Sequence, residues 1–333
     1  MAAGYTTFAV LGAGSWGTAL AAALVRNEHQ VTLWGRDAGA MQALAANHEN
    51  TRYLPGIRLP EALRCTARIE DALTNRDAVI VAVPTSAFRT ILKTLRARAP
   101  GVPLVWACKG LEAGSGKFMH VLVEEELGAD ASGALISGPT FAAEVARGLP
   151  AATSVAAPDL AFATRVAAWF HSESLRAYPN DDLIGVELGG AVKNVLAIAA
   201  GIADGLGFGV NSRAALITRG LAEIMRLGEA LGARRETLMG LSGLGDLVLT
   251  CTDDQSRNRR YGLLLAAGLD GDAALAKIAQ AVEGVKTARE ICALAANNNV
   301  EMPISEQVYK VIYEQHSPRA AVQALLRREL TSE

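Results

Sequence analysis

Short apolar runs alternate with helical periodicities over roughly the first half of the chain. These runs carry few polar residues, as do parallel strands that are buried on both faces of a sheet. We predict strands at Thr7–Leu11, Val31–Trp34, Asp77–Val83, Pro103–Ala107, Ala134–Ser137, Ala152–Ala156 and Leu175–Tyr178. Helical patterns follow the first and third runs, at about residues 15–26 and 86–98. This order predicts a doubly wound α/β sheet.

After about Asp181 the pattern changes, because helical periods dominate and no convincing strand appears. Helices are predicted at about residues 272–281, 284–297, 304–315 and 319–329. The chain has 333 residues, which is enough for two domains with separate cores. We therefore predict one domain at residues 1–180 and an all-helical domain at residues 181–333.

A glycine motif follows the first predicted strand directly and opens the first predicted helix. It reads Gly12-Ala13-Gly14-Ser15-Trp16-Gly17. In this strand-loop-helix position Gly12 makes the tight turn, Gly14 lets a pyrophosphate approach the backbone, and Gly17 lets helix and strand pack closely. Free N–H groups at the start of the helix then hold the phosphates. The front domain is therefore predicted to be a dinucleotide-binding Rossmann domain.

The end of the second strand bears on the choice of dinucleotide. The chain there reads Trp34-Gly35-Arg36-Asp37. A guanidinium pairs with a 2′-phosphate, whereas a carboxylate accepts from a ribose 2′-hydroxyl. Arg36 therefore favours NADP(H), and Asp37 leaves NAD(H) as the alternative. A solvated turn is the plainer interpretation of Arg36.

Residues 190–211 combine one cation with many small residues. On a helix, Lys193, Ala197, Ala200 and Asp204 share one face. Small side chains around a lysine leave space next to that helix face, which favours a ligand bound there. The alternative is an ordinary buried helix whose glycines permit close helix packing.

Four further polar clusters are candidates for chemistry. Lys109 follows a predicted strand, and Thr140 lies in a Gly-Pro-Thr loop after another. Asp246 ends a glycine-rich turn, with Thr250 one helical turn later, and Ser256–Arg260 reads SRNRR. In isolation, Asp246 is typical of a helix cap, and the basic cluster is as typical of a solvated helix start as of a phosphate site.

Composition narrows the class of protein. Lys and Arg total 32 against 34 Asp and Glu, so the formal charge of −2 gives no field for nucleic acid or an acidic membrane. The four cysteines form no CxxC pair and the five histidines show no ligand spacing, so we predict reduced thiols in the cytoplasm and no metal. The apolar run Val195–Ala203 is shorter than the ~18 residues of a membrane span.

Together these motifs resemble the bacterial-type NAD(P)-dependent glycerol-3-phosphate dehydrogenases over essentially the whole chain. The most specific part of the resemblance is the 190–211 stretch. The matching residues there are Gly190, Lys193, Asn194, Gly201, Asp204, Gly205, Gly209 and Asn211. The resemblance implies reversible hydride transfer between NAD(P)H and dihydroxyacetone phosphate, giving sn-glycerol 3-phosphate for phospholipid synthesis.

The resemblance also implies a role for each matching residue. Lys193 is the expected proton donor and acceptor at the C2 oxygen, Lys109 polarises that oxygen, and Asp246 with Thr250 orients the lysines. The expected substrate-binding residues are Lys109, Gly138, Thr140, Lys193, Asp246, Ser256, Arg257 and Asn258. The expected dinucleotide-binding residues are Gly12, Gly14, Ser15, Trp16, Gly17, Arg36, Lys109, Ala142, Arg257 and Glu283.

The chemistry of ketone reduction is consistent with these roles, since a proton must reach the developing alkoxide and no histidine is placed to supply it. Burial and Lys109 would lower the pKa of Lys193, whereas Asp246 would raise it, and the sequence leaves the balance open. Two rival functions also remain. One is a related β-hydroxyacid-type dehydrogenase acting on a carboxylate, and the other is a non-catalytic dinucleotide sensor. A homodimer is an alternative to a monomer.

Overall fold

The structure is a computed structural model that describes residues 6–327 of the chain. The chain divides into two compact units. The first unit contains the residues up to Cys108 together with Phe118–Leu183, and the second contains Lys109–Lys117 and the residues from Ile184 onward. The predicted fold class is confirmed, because the first unit is a doubly wound sheet and the second is helical.

The first unit is built on a single eight-stranded sheet. Its order is β3-β2-β1-β4-β5-β6-β7-β8. The strands are β1 Thr7–Leu11, β2 Gln30–Trp34, β3 Arg64–Thr66, β4 Ala78–Val81, β5 Leu104–Trp106, β6 Gly133–Ser137, β7 Ala151–Ala156 and β8 Leu175–Asn180. In β1, Val10 pairs with Leu33 on one side and Ile80 on the other. All three side chains are buried, as the apolar runs predict.

Two features of the sheet were not predicted. The edge strand β3 has only three residues, Arg-Cys-Thr, and none of them is fully buried, so it carries no apolar run. Strand β7 runs antiparallel to β6 and parallel to β8, whereas β1 to β6 form parallel pairs. The seven predicted strands are present, with ends that differ by no more than two residues.

Helices connect the strands of the first unit. They are α1 Ser15–Arg26, α2 Ala38–Asn47, α3 Ile69–Leu73, α4 Thr85–Arg98, α5 Met119–Leu127, α6 Ala142–Arg147 and α7 Leu160–Phe170. Helix α1 is rich in alanine and leucine, so it is both a good helix former and able to pack closely on the sheet. At its end Arg26 donates hydrogen bonds to the carbonyls of Val145 and Ala146, at 2.5 and 2.9 Å. These bonds hold the last turn of α6.

The second unit has no strand in the described residues 184–327. Its helices are α8 Leu183–Gly205, α9 Val210–Ala230, α10 Arg235–Met239, α11 Asp246–Thr252, α12 Arg257–Ala266, α13 Gly271–Ile278, α14 Glu283–Asn297, α15 Pro303–Tyr313 and α16 Pro318–Leu326, with a π-helical turn at Leu241–Gly245. The four helices predicted here are present, within three residues at each described end. Residues 328–329 of the last prediction lie outside the described chain.

The glycines of α8 allow close backbone packing against neighbouring elements. A Cβ on Gly201 would overlap the carbonyl oxygen of Arg259, and a Cβ on Gly262 would overlap that of Ile198. A Cβ on Gly189 would lie 2.5 Å from the carbonyl oxygen of Ser242. Helix α12 and the π-helical turn therefore occupy the space beside these glycines, so the alternative interpretation, close helix packing, holds for them.

Helix α8 is also longer and more apolar than the run noted in the sequence. It has 23 residues, and an 18-residue window within it reaches a mean hydropathy of 1.6. By length and composition alone such a helix is able to cross a membrane. However, 94% of that window is buried within the protein, which is typical of a core helix.

The observed division of the chain differs from the predicted boundary in two respects. The change of unit between Leu183 and Ile184 lies three residues after the predicted boundary at residue 180. Lys109–Lys117, predicted to lie in the first domain, groups instead with the helical unit. The chain therefore leaves the first unit after β5 and returns to it before α5.

Candidate active site

The glycine loop of the first unit has the form that a dinucleotide requires. Gly12 adopts φ +121°, and a Cβ there would lie 2.5 Å from the carbonyl oxygen of Ala82. A Cβ on Gly17 would overlap the carbonyl oxygen of Gly12, so helix and loop touch there. By contrast, no atom beyond the adjoining backbone and chain neighbours lies within 4 Å of the Cβ position of Gly14, so that face of the loop is open.

Helix α1 begins directly behind this loop with unused donors. Its N-cap, Gly14, has no side chain to accept a hydrogen bond, and the first backbone bond of the helix runs from Thr18 N to Gly14 O at 3.0 Å. The backbone N–H groups before Thr18, in the first turn of the helix, therefore have no partner within the helix and are directed out of its N-terminal end. The indole Nε1 of Trp16 is buried without a hydrogen-bond partner. Open space, helix donors and a buried indole N–H fit an anionic dinucleotide.

The acidic residue at the end of β2 already has a structural role. Asp37 is the N-cap of α2, and its carboxylate accepts from Ala40 N at 3.0 Å. Arg36 is exposed beside it. Asp37 remains exposed as well, so both residues lie at the strand end where a dinucleotide ribose is expected.

The loop after β6 is shaped by its own glycine and threonine. A Cβ on Gly138 would lie 2.8 Å from Thr153 Cα, so only glycine fits there. The hydroxyl of Thr140 donates to the carbonyl of Gly138 at 3.2 Å, which leaves its oxygen lone pairs as acceptors. Ala142 is the first residue of α6. Gly138, Thr140 and Ala142 belong to the first unit, and their predicted ligand contacts stay predictions.

In the second unit, Asp246 joins two lysines. Lys193 Nζ donates to Asp246 Oδ1 at 2.5 Å, and Lys109 Nζ donates to Asp246 Oδ2 at 2.7 Å. Lys193 also donates to Thr250 Oγ1 at 3.0 Å, and the Thr250 hydroxyl donates to the carbonyl of Asp246 at 2.6 Å. The structure thus brings together the four residues predicted to be catalytic. Asp246 starts α11, but its carboxylate binds the lysines and does not cap the helix.

Close packing of α8 explains how this cluster forms. Gly189 lies one turn before Lys193, and its missing Cβ lets Ser242 of the π-helical turn approach the helix backbone. Gly243 likewise lies against the carbonyl of Leu238. The chain then enters α11 directly, which directs Asp246 and Thr250 at Lys193. The glycines therefore serve the site by bringing backbones together.

Burial controls the protonation of this cluster. Lys193 is 7% exposed and Asp246 is 1% exposed. Desolvation by burial is the main influence and lowers the pKa of Lys193 to about 8. The Asp246 carboxylate opposes this shift by favouring the charged amine, and the Lys109 ammonium adds to it. Burial thus decides the balance that the sequence leaves open, and Lys193 can exchange a proton near neutral pH.

The predicted phosphate-binding group is only partly available to a ligand. The hydroxyl of Ser256 is the N-cap of α12 and accepts from Arg259 N at 3.2 Å. The side-chain amide of Asn258 donates to Asn194 Oδ1 at 2.8 Å and accepts from Gly284 N at 3.0 Å. Arg257, the first residue of α12, is only half-buried.

The second guanidinium of the SRNRR cluster has a structural role. Arg259 donates to Asp204 at 2.6 Å, to the carbonyl of Cys251 at 3.2 Å and to Asp254. Asp204 also accepts from Arg213 at 2.8 Å. Arg259 therefore joins α8 to α12 and is not assigned to a phosphate-binding site.

Two residues that were not predicted to have a role join the network. Asn194, next to Lys193, forms the side-chain bond to Asn258. Glu290 on α14 accepts from Gly114 N at 2.9 Å, in the segment that begins with Lys109. The position of Asn194 beside Lys193 was a usable signal, whereas Glu290 lies 176 residues from its partner. Glu283, predicted to contact the dinucleotide, is the half-buried first residue of α14 in the second unit.

No cluster of three or more His, Cys, Asp or Glu side chains suited to a metal occurs within residues 6–327. All four cysteines are free thiols.

Comparison with known families gives a match over both units. The family model described as NAD-dependent glycerol-3-phosphate dehydrogenase N-terminus matches residues 7–163. The model for the C-terminus of the same family matches residues 182–323.

Individual relatives give the same result. The chain is 60% identical over 322 residues to glycerol-3-phosphate dehydrogenase (NAD(P)+) from Thioalkalivibrio sulfidiphilus, covering 96% of this chain and 97% of the relative. It is 54% identical to the protein of that name from Aromatoleum aromaticum, covering 96% and 98%. The crystal structure of glycerol-3-phosphate dehydrogenase from Coxiella burnetii superposes with a TM-score of 0.93 at 44% identity, covering 97% of this chain and 99% of that chain.

Proposed function

The chain belongs to the NAD-dependent glycerol-3-phosphate dehydrogenase family, and from this membership we propose the reaction that it catalyses. It is an NAD(P)-dependent oxidoreductase that interconverts dihydroxyacetone phosphate and sn-glycerol 3-phosphate. The reduced product is a precursor for glycerophospholipid synthesis.

The observation that carries this proposal is the buried Lys193–Asp246–Lys109 cluster. Two cations and one carboxylate leave a net positive charge in a water-poor site. Such a charge stabilises the alkoxide that develops on a ketone oxygen during reduction. A protein that only binds dinucleotide has no evident use for it, so the cluster favours an enzyme over a sensor.

The proposed reaction adds one hydride and one proton to the ketone, and the source of each is accounted for. The dinucleotide, when bound, supplies the hydride that forms a C–H bond at C2. The carbonyl π electrons move onto the C2 oxygen, which takes a proton from the Lys193 ammonium. Lys193 is left as the neutral amine and takes up a proton from solvent before the next turnover. In the oxidative direction the neutral amine removes the hydroxyl proton, which a pKa of about 8 permits.

Asp246 and Thr250 have positioning roles in this proposal. Asp246 holds one lysine on each carboxylate oxygen, and Thr250 accepts a further bond from Lys193. With two of its N–H donors directed at fixed acceptors, the Lys193 amine keeps one orientation. Lys109 then supports the substrate oxygen as a second cation.

The substrate phosphate is proposed to lie against Arg257 at the start of α12. Guanidinium and helix N-terminal N–H groups both favour a phosphate dianion. Ser256 and Asn258 act chiefly by holding this helix start in place, since their side chains are bonded within the protein. Gly138 and Thr140 remain proposed substrate contacts, on the family resemblance alone.

For the cofactor we propose the Gly12–Gly17 loop as the pyrophosphate site, with NADP(H) favoured over NAD(H). Arg36 supports the preference, because it is exposed at the end of β2 while the neighbouring Asp37 is engaged as a helix cap. Ser15, Trp16, Ala142 and Glu283 are the further proposed contacts. A cytoplasmic location is supported by the four free thiols. A homodimer is proposed on the family resemblance.

One absorbance assay tests the proposed function. Oxidation of NADPH, then of NADH, is followed at 340 nm with dihydroxyacetone phosphate as substrate, and 2-keto acids serve as competing substrates. Turnover with the phosphorylated ketone supports the proposal. Turnover with a keto acid alone would favour a β-hydroxyacid-type dehydrogenase acting on carboxylates. Tight NADPH binding without turnover would favour a sensor.

A further inference from the structure

Glu290 anchors the segment that presents Lys109. Its carboxylate Oε1 accepts from Gly114 N at 2.9 Å, and Glu290 is 7% exposed. The Cβ position of Gly116 lies 3.5 Å from the other oxygen, Oε2. Both oxygens of one buried carboxylate therefore face the backbone of the Lys109–Lys117 segment.

Residues 112–117 of this segment form a closed turn, so one anchor holds that turn as a unit. Glu112 N donates to Lys117 O at 2.9 Å, and Gly116 N donates to Glu112 O at 3.0 Å. Ser115 Oγ donates to the Glu112 carboxylate at 2.6 Å. The tip of this compact turn, at Gly114, binds Glu290, while Lys109, three residues before the turn, binds Asp246.

The helix that carries Glu290 also holds the other side of the network. Gly284, at the start of α14, donates to Asn258 Oδ1 at 3.0 Å, and its missing Cβ allows contact with the carbonyl of Asn194. Six residues of helix, about 9 Å, separate Gly284 from Glu290. A single stiff helix thus fixes the spacing between the Asn194–Asn258 pair and the Lys109 segment.

We propose that Glu290 is a positioning residue for Lys109, holding its segment so that the ammonium stays beside Asp246 and Lys193. The inference rests on the proposed dehydrogenase function. Glu290 acts through the backbone of the segment and has no contact with the reacting atoms. Its role requires a hydrogen-bond acceptor at this position and does not require a negative charge.

The test compares Glu290→Ala with Glu290→Gln in the full-length protein. Glutamine keeps an acceptor for Gly114 N, whereas alanine removes it. Glu290→Ala is expected to lower kcat for dihydroxyacetone phosphate reduction about tenfold with little change in the KM for NADPH, because small misplacements of catalytic groups cost large factors. Glu290→Gln is expected to stay within about threefold of wild type. Glu314→Ala, an exposed glutamate at the end of α15, is the matched control.

Two readouts separate positioning from a general loss of structure. Lys109 helps to lower the pKa of Lys193, so a displaced Lys109 moves the alkaline limb of the kcat profile to higher pH in Glu290→Ala. In a double-mutant cycle, Glu290→Ala is expected to add little to the loss caused by Lys109→Met, because both changes remove one function. Additive losses, or an unshifted pH limb, would overturn the inference.

The proposed role of Glu290 can be tested even if the Glu290→Ala variant is unstable. If Glu290→Ala does not fold, Glu290→Asp, whose carboxylate is one methylene shorter, enters the same cycle. Wild-type turnover together with unaltered kcat in the folded variant would reject the role of Glu290 and leave the proposed function intact. A wild-type protein without turnover would reject the proposed function instead.

Discussion

Lys193 donates a 2.5 Å hydrogen bond to Asp246, and neither side chain is more than 7% exposed. Burial and pairing act in opposite directions on the charge of the lysine. Burial favours the neutral amine, whereas the carboxylate favours the ammonium. The two forms are therefore close in free energy near neutral pH, which is the condition for a general acid–base catalyst.

Removal of the Lys193 amine should abolish proton delivery and leave dinucleotide binding largely unchanged. We expect Lys193→Ala to lower kcat for dihydroxyacetone phosphate reduction by at least ~10²-fold. NADPH affinity, measured by fluorescence titration, should stay within about threefold of wild type. Lys277→Ala, an exposed lysine of α13, is the control. Normal turnover of Lys193→Ala would remove this residue from the mechanism.

The two directions of the reaction should respond oppositely to pH. Reduction needs the Lys193 ammonium, so its kcat should fall as pH rises through about 8, whereas oxidation needs the amine and should increase over the same range. Lys109→Met removes a neighbouring cation and should move both midpoints to higher pH. Steady-state rates between pH 6 and pH 10 test this. If the midpoints of the two pH profiles are the same in Lys109→Met as in wild type, the electrostatic account is contradicted.

Arg257 should affect binding of the phosphorylated substrate more than the chemical step. Arg257→Ala is expected to raise the KM for dihydroxyacetone phosphate at least about tenfold, since a charge-assisted bond contributes about 1.5–3 kcal/mol. The matched control is Arg260→Ala, an exposed arginine on the same helix. An unchanged KM would show that the phosphate binds elsewhere.

Charge at position 36 should decide the preferred dinucleotide. Arg36→Glu places a carboxylate where a 2′-phosphate is expected, so kcat/KM should fall for NADPH and be retained or improved for NADH. Arg58→Glu, at a side chain that is 74% exposed, controls for charge reversal on the surface. Equal losses with both dinucleotides would count against a 2′-phosphate site.

Stability should depend on pH through a buried carboxylate of α9. Glu223 is 1% exposed and accepts from Ile304 N, Ser305 N and the Ser305 hydroxyl. Desolvation is the larger influence and raises the pKa of Glu223 from 4.5 to about 7. Its contribution to stability is therefore fully present below pH 4.5 and is lost as pH rises through about 7.

Glu223→Gln isolates this effect, because it cannot ionise. The free energy of unfolding of wild type relative to the variant should decrease by up to about 3 kcal/mol between pH 4.5 and pH 8. Urea unfolding at several pH values measures the difference. A difference that is constant with pH would mean that Glu223 keeps its usual pKa.

The sheet was predictable because its signals are local. Thr7–Leu11 is an uninterrupted apolar run followed at once by the Gly12–Gly17 motif, so strand, turn and helix are specified within a few residues. Strand β3 has no comparable signal, since its residues Arg, Cys and Thr form no apolar run and none of them is fully buried. Its place in the sheet depends on pairing with β2, which no local pattern reveals.

The site was less accessible to local reasoning. Lys193 and Asp246 lie 53 residues apart, and only the family resemblance joined them. The small residues of α8 suit a ligand or a neighbouring helix equally well, and α12 decides the matter by occupying the space at Gly201. Ser256 has the residue type for phosphate binding, but its hydroxyl is used to cap a helix.

Because Lys109–Lys117 groups with the helical unit, the two units do not correspond to two continuous halves of the chain. A fragment that starts at residue 184 contains Lys193, Asp246 and Thr250 but lacks the amine of Lys109. Domain exchange between relatives must therefore transfer this nine-residue insert together with the C-terminal half. A chimera that divides them would combine a carboxylate and a lysine from different lineages within one ion-pair cluster.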